Sequence, residues 1–245
     1  MKKLTQDQIN KILEEHKHWL NEDCEGWENM RADFSYCELS RTNLRDAVLR
    51  GVNLSHTDLR GANLRGANLS GSILRDVDLR DVDLCGADLR DSILRDVDLS
   101  YANLSYTNLS YTNLHGANLH GVDLRDADLR GAEEVPYVPM ACPEEGDFIG
   151  WKRAGDKIVK LHIPQDALRS SSTTRKCRCN KAEVIEIYNI DGTIADERII
   201  SSSYDSSFTY EVGKTVEVQD FDTNRWKECT RGIHFFINRQ EAINY

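Results

Sequence analysis

The chain has 245 residues and a net charge of −10. The length suffices for two modest domains or one large one, and the acidic balance disfavours a nonspecific nucleic-acid binder, which needs a surplus of Lys and Arg to neutralise phosphates. No apolar stretch is long enough to span a membrane and the N-terminus turns polar before a signal-peptide core forms, so a cytoplasmic location is expected.

Seven cysteines are scattered through the chain without an export signal, so free thiols are expected rather than a disulfide framework. Residues 1–31 form the lead-in. There LTQDQINKILEEHKHWL predicts an amphipathic helix, with Thr5 and Gln8 as a capping box and Leu4 and Ile9 as a hydrophobic staple. Ile9, Ile12, Leu13, His16 and Leu20 share one stripe. The helix is expected to cap the segment that begins at Ala32, with Trp19 and Trp27 over its first layer; a free partner-binding helix is the alternative.

Residues 32–131 divide into twenty consecutive pentads without an insertion. Every pentad is centred on Leu except the first, centred on Phe34, and the residue two before each centre is small. A period of five fits neither a helix nor a flat strand. It fits a chain that turns a corner every five residues and buries its Leu only by stacking successive coils.

These pentads, such as ANLRG at 62–66 and ADLRD at 87–91, resemble the pentapeptide repeat family with its A(D/N)LXX motif. The resemblance implies a mainly β fold, a right-handed quadrilateral β-helix with four pentads per coil and therefore five coils here. The octapeptide SILRDVDL at 72–79 recurs at 92–99, one implied coil later.

Sorting the outward residues by that register stacks Glu38, Asp58, Asp78 and Asp98 in one column, with Asn118 last. Ile73 and Ile93 form an apolar pair in the neighbouring column. The acidic column reads either as a partner-facing strip with the isoleucines as its edge, or as the usual Asp or Asn of this position, offset by Arg41, Arg60 and Arg80. Tyr101, Tyr106 and Tyr111 occupy equivalent positions on three successive faces. They read equally as an aromatic interaction belt or as a shield beneath a packed C-terminal domain.

Some members of the family resemble duplex DNA and inhibit or protect gyrase. The repeat, however, carries fifteen acidic and eleven basic residues, and a mimic about 24 Å long would want on the order of 14 negative charges. DNA mimicry is therefore expected at most as a local strip. Gyrase-directed members commonly pair through a C-terminal helix; here a domain takes that place, and a homodimer stays open.

Residues 132–245 begin where GAEEVPYVP ends the period. GDFIGWKRAGDKIVKLHIP predicts two strands joined by a tight turn, EVIEIYNIDGTIADERII a hairpin with Asp191 and Gly192 at its tip, and RGIHFFINRQEAINY a strand followed by a short helix capped by Asn238. An antiparallel α+β domain is expected. RSSSTTRKCRCNKA and the closing GIHFF segment resemble a domain of unknown function associated with pentapeptide repeat proteins of bacteriophages and their hosts. That resemblance implies a phage setting and brings no activity.

Arg169, Ser170, Ser171, Arg175, Lys176 and Arg178 form a basic, hydroxyl-rich segment able to hold a phosphate or nucleotide, with His234 as a base. No Gly-rich phosphate loop, nucleophile elbow or HExxH helix accompanies them. The bland reading is a basic loop and a core histidine. Cys177 and Cys179 are a weak zinc signal, since structural sites usually offer pairs two to four residues apart.

The expectation is a non-enzymatic protein-interaction protein without a cofactor. It would be a phage factor binding a host protein through Glu38, Asp58, Asp78, Asp98, Ile73, Ile93, Tyr101, Tyr106 and Tyr111. No direct nucleic-acid or membrane binding is expected. The alternative is a C-terminal enzyme or nucleotide-binding module using Arg175 and His234, with the repeat as its scaffold.

Overall fold

A computed structural model describes residues 1–245, which form two compact units, Met1–Val138 and Pro139–Tyr245. The first opens with β1 (Lys2–Lys3), α1 (Gln6–Asn21), a 3-10 turn at Trp27–Asn29 and β2 (Cys37–Glu38). The Thr5 capping box is formed, with Gln8 N donating to Thr5 Oγ1 at 3.3 Å and Thr5 N donating to Gln8 Oε1 at 2.9 Å. Helix α1 buries Ile9 and His16. His16 joins it to the repeat: Nε2 donates to the Arg50 carbonyl at 3.0 Å, and Nδ1 accepts from Ala32 N at 3.2 Å. The imidazole is therefore neutral, and burial lowers its pKa. Strand β1 pairs in parallel with β2, a contact between residues 35 apart that no local pattern announces.

From Tyr36 to Gly131 every fifth residue has a positive φ, which turns the corner. Gly adopts this left-handed region freely and Asp is among the better-tolerated side chains there, which explains why these two fill most of the corners. Between corners, parallel bridges join each residue before a centre to the one twenty positions later, from Asp33 with Asn53 to Asn113 with Glu133. Centres Phe34 through Leu124 are buried, each contributing about 1.5–3 kcal/mol of gross apolar stabilisation. The last centre, Leu129, is only partly buried. Buried hydroxyls at the small positions donate to carbonyls, as Ser72 Oγ does to Leu69 O at 2.6 Å and Thr57 Oγ1 to Phe34 O at 2.8 Å.

The second unit is built from antiparallel strands and one short helix. Strands β3 (Phe148–Ala154) and β4 (Lys157–Ile163) form the expected hairpin. They are followed by β5 (Arg169–Ser171), β6 (Cys177–Cys179), β7 (Lys181–Asn189), β8 (Ile199–Ser201), β9 (Thr209–Glu211), β10 (Thr215–Glu217), β11 (Ile233–Phe235) and α2 (Arg239–Asn244). One sheet has the order β10-β7-β4-β3, a second β11-β6-β5, and β8 pairs with β9. Asn238 caps α2, its side chain accepting from Gln240 N at 2.8 Å.

The hairpin expected around Asp191 and Gly192 is shorter than its sequence suggests. Tyr188 bridges Ile194, but beyond Ala195 the chain leaves β7 and its next strand, β8, joins β9. The places beside β7 are already taken by β4 and β10. The core gathers Val159, Leu161, Ile163, Val184, Tyr210 and Phe235 with the thiols of Cys142, Cys177 and Cys179.

Candidate functional site

The acidic column is an ion-pair ladder. Lys3 Nζ lies 3.1 Å from Glu38, Arg60 Nη2 lies 2.6 Å from Asp58 and Arg80 Nη2 lies 2.6 Å from Asp78. Asp98 accepts from Asn118 Nδ2 at 3.0 Å and from Ser100 N at 3.0 Å. The Arg60 fork holds the Asp58 carboxyl below the usual carboxylate range. Other Asp-Leu-Arg triplets repeat this fork, with Arg90 on Asp88, Arg125 on Asp123 and Arg130 on Asp128.

The carboxylates have a second task. Asp58 Oδ1 accepts from the backbone N of Arg60 at 3.0 Å, and Asn53 Oδ1 accepts from Ser55 N at 3.1 Å. A short side chain with an acceptor two residues before such an N–H stabilises the turn, which explains the Asp and Asn of this position. Ile73 and Ile93, which bridge one another, supply no such acceptor.

The tyrosines stand out more than the acids. Tyr101, Tyr106 and Tyr111 are 61%, 65% and 66% exposed and have φ values of 60°, 59° and 58°. Tyr36, at the same pentad position, has φ 56° and stacks on His56 with centroids 4.7 Å apart. The left-handed region costs an L-residue roughly 1–2 kcal/mol, and a bulky side chain there is an outlier. The Tyr101 and Tyr111 rings lie over Gly121 and Gly131, where an added Cβ would meet them at 2.7 and 2.6 Å. The next coil is thus glycine where the rings need room.

The second unit contains a cavity of about 610 Å³. His234 lines it together with Lys152, Lys176 and Cys229. His234 Nε2 donates to the Glu228 carbonyl at 3.1 Å, and burial, followed by the Lys176 charge, lowers its pKa to about 4. It is therefore neutral near pH 7. Arg175 does not line this cavity; its Nε lies 2.9 Å from Glu241 Oε1.

Much of the basic segment is spent on backbone carbonyls. Arg169 donates to Gly146 O at 2.7 Å and Pro164 O at 2.9 Å. Arg178, 2% exposed, donates to Asp222 O at 2.9 Å, Arg231 O at 3.0 Å and Asn224 O at 3.0 Å. Lys176 is the cation of this segment that faces the cavity. Sequence reasoning missed Lys152, whose only signal is its inward place between Gly150 and Ala154 on β3.

Cys177 and Cys179 are fully buried in the apolar core. Burial raises the Cys179 pKa, and the hydrogen bond with Cys142, reinforced by burial, raises that of Cys177. Neither change favours the thiolate that binds zinc. The group of three side chains spaced for a metal lies elsewhere, at His18, Asp23 and Cys24 near the end of α1. No helix is long and apolar enough to cross a membrane.

Comparison with known proteins assigns both units. Segments between residues 30 and 131 match the pentapeptide repeats, and residues 138–242 match a family of unknown function, DUF5758. Over 98 residues the chain is 39% identical to the uncharacterized protein L223 of Acanthamoeba polyphaga mimivirus, a match covering 37% of this chain and 62% of that one. The chain thus spans about three fifths of that relative's length.

Among solved structures, a pentapeptide repeat protein of the Arabidopsis thaliana thylakoid lumen is 34% identical, over 40% of this chain and 66% of that one, with a TM-score of 0.29. The pentapeptide repeat protein alr5209 of Nostoc PCC 7120 is 31% identical, over 52% and 88%, with a TM-score of 0.32. The chain is a pentapeptide repeat protein that carries a DUF5758 domain at its C-terminal end.

Proposed function

We propose that the protein is a non-enzymatic interaction protein, in which the repeat of residues 32–131 presents Tyr101, Tyr106 and Tyr111 to a protein partner. One observation carries this reading: three consecutive corners hold bulky, exposed aromatics in a backbone region that disfavours them. Strain kept at an exposed position motivates a functional reading, and Tyr is enriched where proteins meet. The acidic column is secondary, because Lys3, Arg60 and Arg80 pair with three of its four carboxylates. The same forks weigh against DNA mimicry toward gyrase, which needs unpaired carboxylates. The mimivirus relative supports a viral origin; that the protein acts on a host protein, and that the virus is a phage, are part of the proposal itself.

The test compares two variants of the full chain. Replacing Tyr101, Tyr106 and Tyr111 together by Asn, which tolerates a positive φ, should abolish co-purification of a partner without lowering the melting temperature. Asp58→Asn with Asp78→Asn should leave the partner bound. Retention of the partner by the triple variant would overturn the proposal.

A further inference from the structure

Strand β3 alternates as a half-buried strand should, with Gly150, Lys152 and Ala154 facing inward. Lys is almost never buried unless it is paired. Lys152 is 7% exposed, and the charged neighbour that acts on it is another cation, Lys176. Lys176, 8% exposed, donates to Tyr245 Oη at 2.8 Å and to Cys229 Sγ at 3.3 Å, a phenol and a thiol rather than a carboxylate. The carboxylate at the cavity edge, Asp205, is engaged by Ser207 N at 2.9 Å and Ser207 Oγ at 2.6 Å.

Two ammonium groups therefore converge on one cavity with no carboxylate committed to either. An unpaired buried charge is strongly unfavourable. Against burial, the phenol and thiol partners of Lys176 hold its pKa up, whereas Lys152 meets only burial and a like charge. The lining also includes the apolar side chains Phe208, Tyr210 and Val218, with the Phe208 and Tyr210 rings 5.4 Å apart. A volume of about 610 Å³ is that of a small-molecule site rather than a packing defect.

We infer that this cavity binds an organic anion, with Lys152 and Lys176 holding an oxyanion head and the Phe208 and Tyr210 rings taking an aromatic body. Burial and then the Lys176 charge lower the Lys152 pKa to about 8, so an anion would restore the charge that burial penalises. The inference goes beyond the tyrosine proposal and does not rest on it.

Calorimetry on the full chain tests it with three probes: phenyl phosphate, benzoate and neutral benzyl alcohol. At least one anion should bind more tightly than the alcohol, and Lys152→Met should weaken that anion at least ten-fold while leaving the alcohol unchanged. Tighter binding of phenyl phosphate or of benzoate identifies the head group. Failure of both anions to bind, or unchanged binding in Lys152→Met, overturns the inference. If that variant does not fold, the unaltered chain decides. The bound anion should slow acylation of Lys152, read by peptide mass, at least five-fold relative to exposed Lys3, and an unchanged rate overturns the inference.

Discussion

Arg60 belongs to two coils at once: its Nη2 lies 2.6 Å from Asp58 Oδ2 and its Nε 3.5 Å from Asp78 Oδ2, twenty residues on. Arg80 repeats the bridge between Asp78 and Asp98, at 2.6 and 3.8 Å. A stack of carboxylates is thereby turned into a cross-coil brace.

Asp58→Asn keeps the acceptor for the Arg60 backbone N–H but loses the guanidinium pair, and should lower stability at pH 7 by on the order of 1 kcal/mol. The folded pKa of Asp58 is depressed, so its contribution is complete above the unfolded value of about 3.9 and is lost as pH falls through the folded one. Thermal melts of the two proteins should differ at pH 7, and the difference should shrink as pH falls below about 3.9 toward the folded pKa of Asp58.

His16 gives a second handle on acid sensitivity, nearer to neutral pH. Its folded pKa lies below the unfolded value of about 6.5, so stability is lost as pH falls from that value toward the folded one and changes no further below it. The protection factors of the α1 amides, with the intrinsic pH dependence of exchange divided out, should fall between pH 7.5 and 5. His16→Ala, which leaves Ala32 N and Arg50 O without their partner, should cost about 2–3 kcal/mol and abolish that pH dependence.

Leu74 is 0% exposed, whereas its neighbour Arg75 points into solvent. Leu74→Ala should cost about 2–5 kcal/mol in chemical denaturation, and Arg75→Ala less than about 0.5 kcal/mol. Equal effects would contradict the inward assignment of the pentad centre.

Arg178 ties β6 to the segment around Asp222, Asn224 and Arg231 through three carbonyls, with its guanidinium 5.1 Å from the Phe221 ring. Arg178→Lys keeps the charge but cannot span three acceptors. It should cost about 2 kcal/mol or more, and deuterium uptake should rise first at residues 220–232.

The repeat was legible because its information is local: small residue, centre and corner recur within five positions, and the corner composition reports the sign of φ. The strand carrying Trp151 and Lys152 and the helix cap at Asn238 were legible for the same reason. Pairings decided by distant competition were not. Lys2 and Lys3 carry no strand signal of their own, yet they pair with β2. Ile199–Ser201 comes after a turn that suggests return to β7, whose edges β4 and β10 already hold.

The cavity was hidden differently. Arg175 and Lys176 are adjacent in sequence, but the fold sends one to Glu241 and the other toward Lys152. The basic segment announced positive charge without revealing that Arg169 and Arg178 spend theirs on carbonyls.

The twenty-residue bridge register makes the repeat a modular length standard. Removing residues 72–91 would bring Ser92 into the place of Ser72 and leave every later side chain in its own column, shortening the stack by one layer. Removing residues 72–76 alone would instead shift all later side chains into the adjoining column, parting Asp78 from Arg60 and carrying Tyr101, Tyr106 and Tyr111 to different faces. Length and surface pattern are thus independent variables for edits in multiples of twenty, and inseparable for any other.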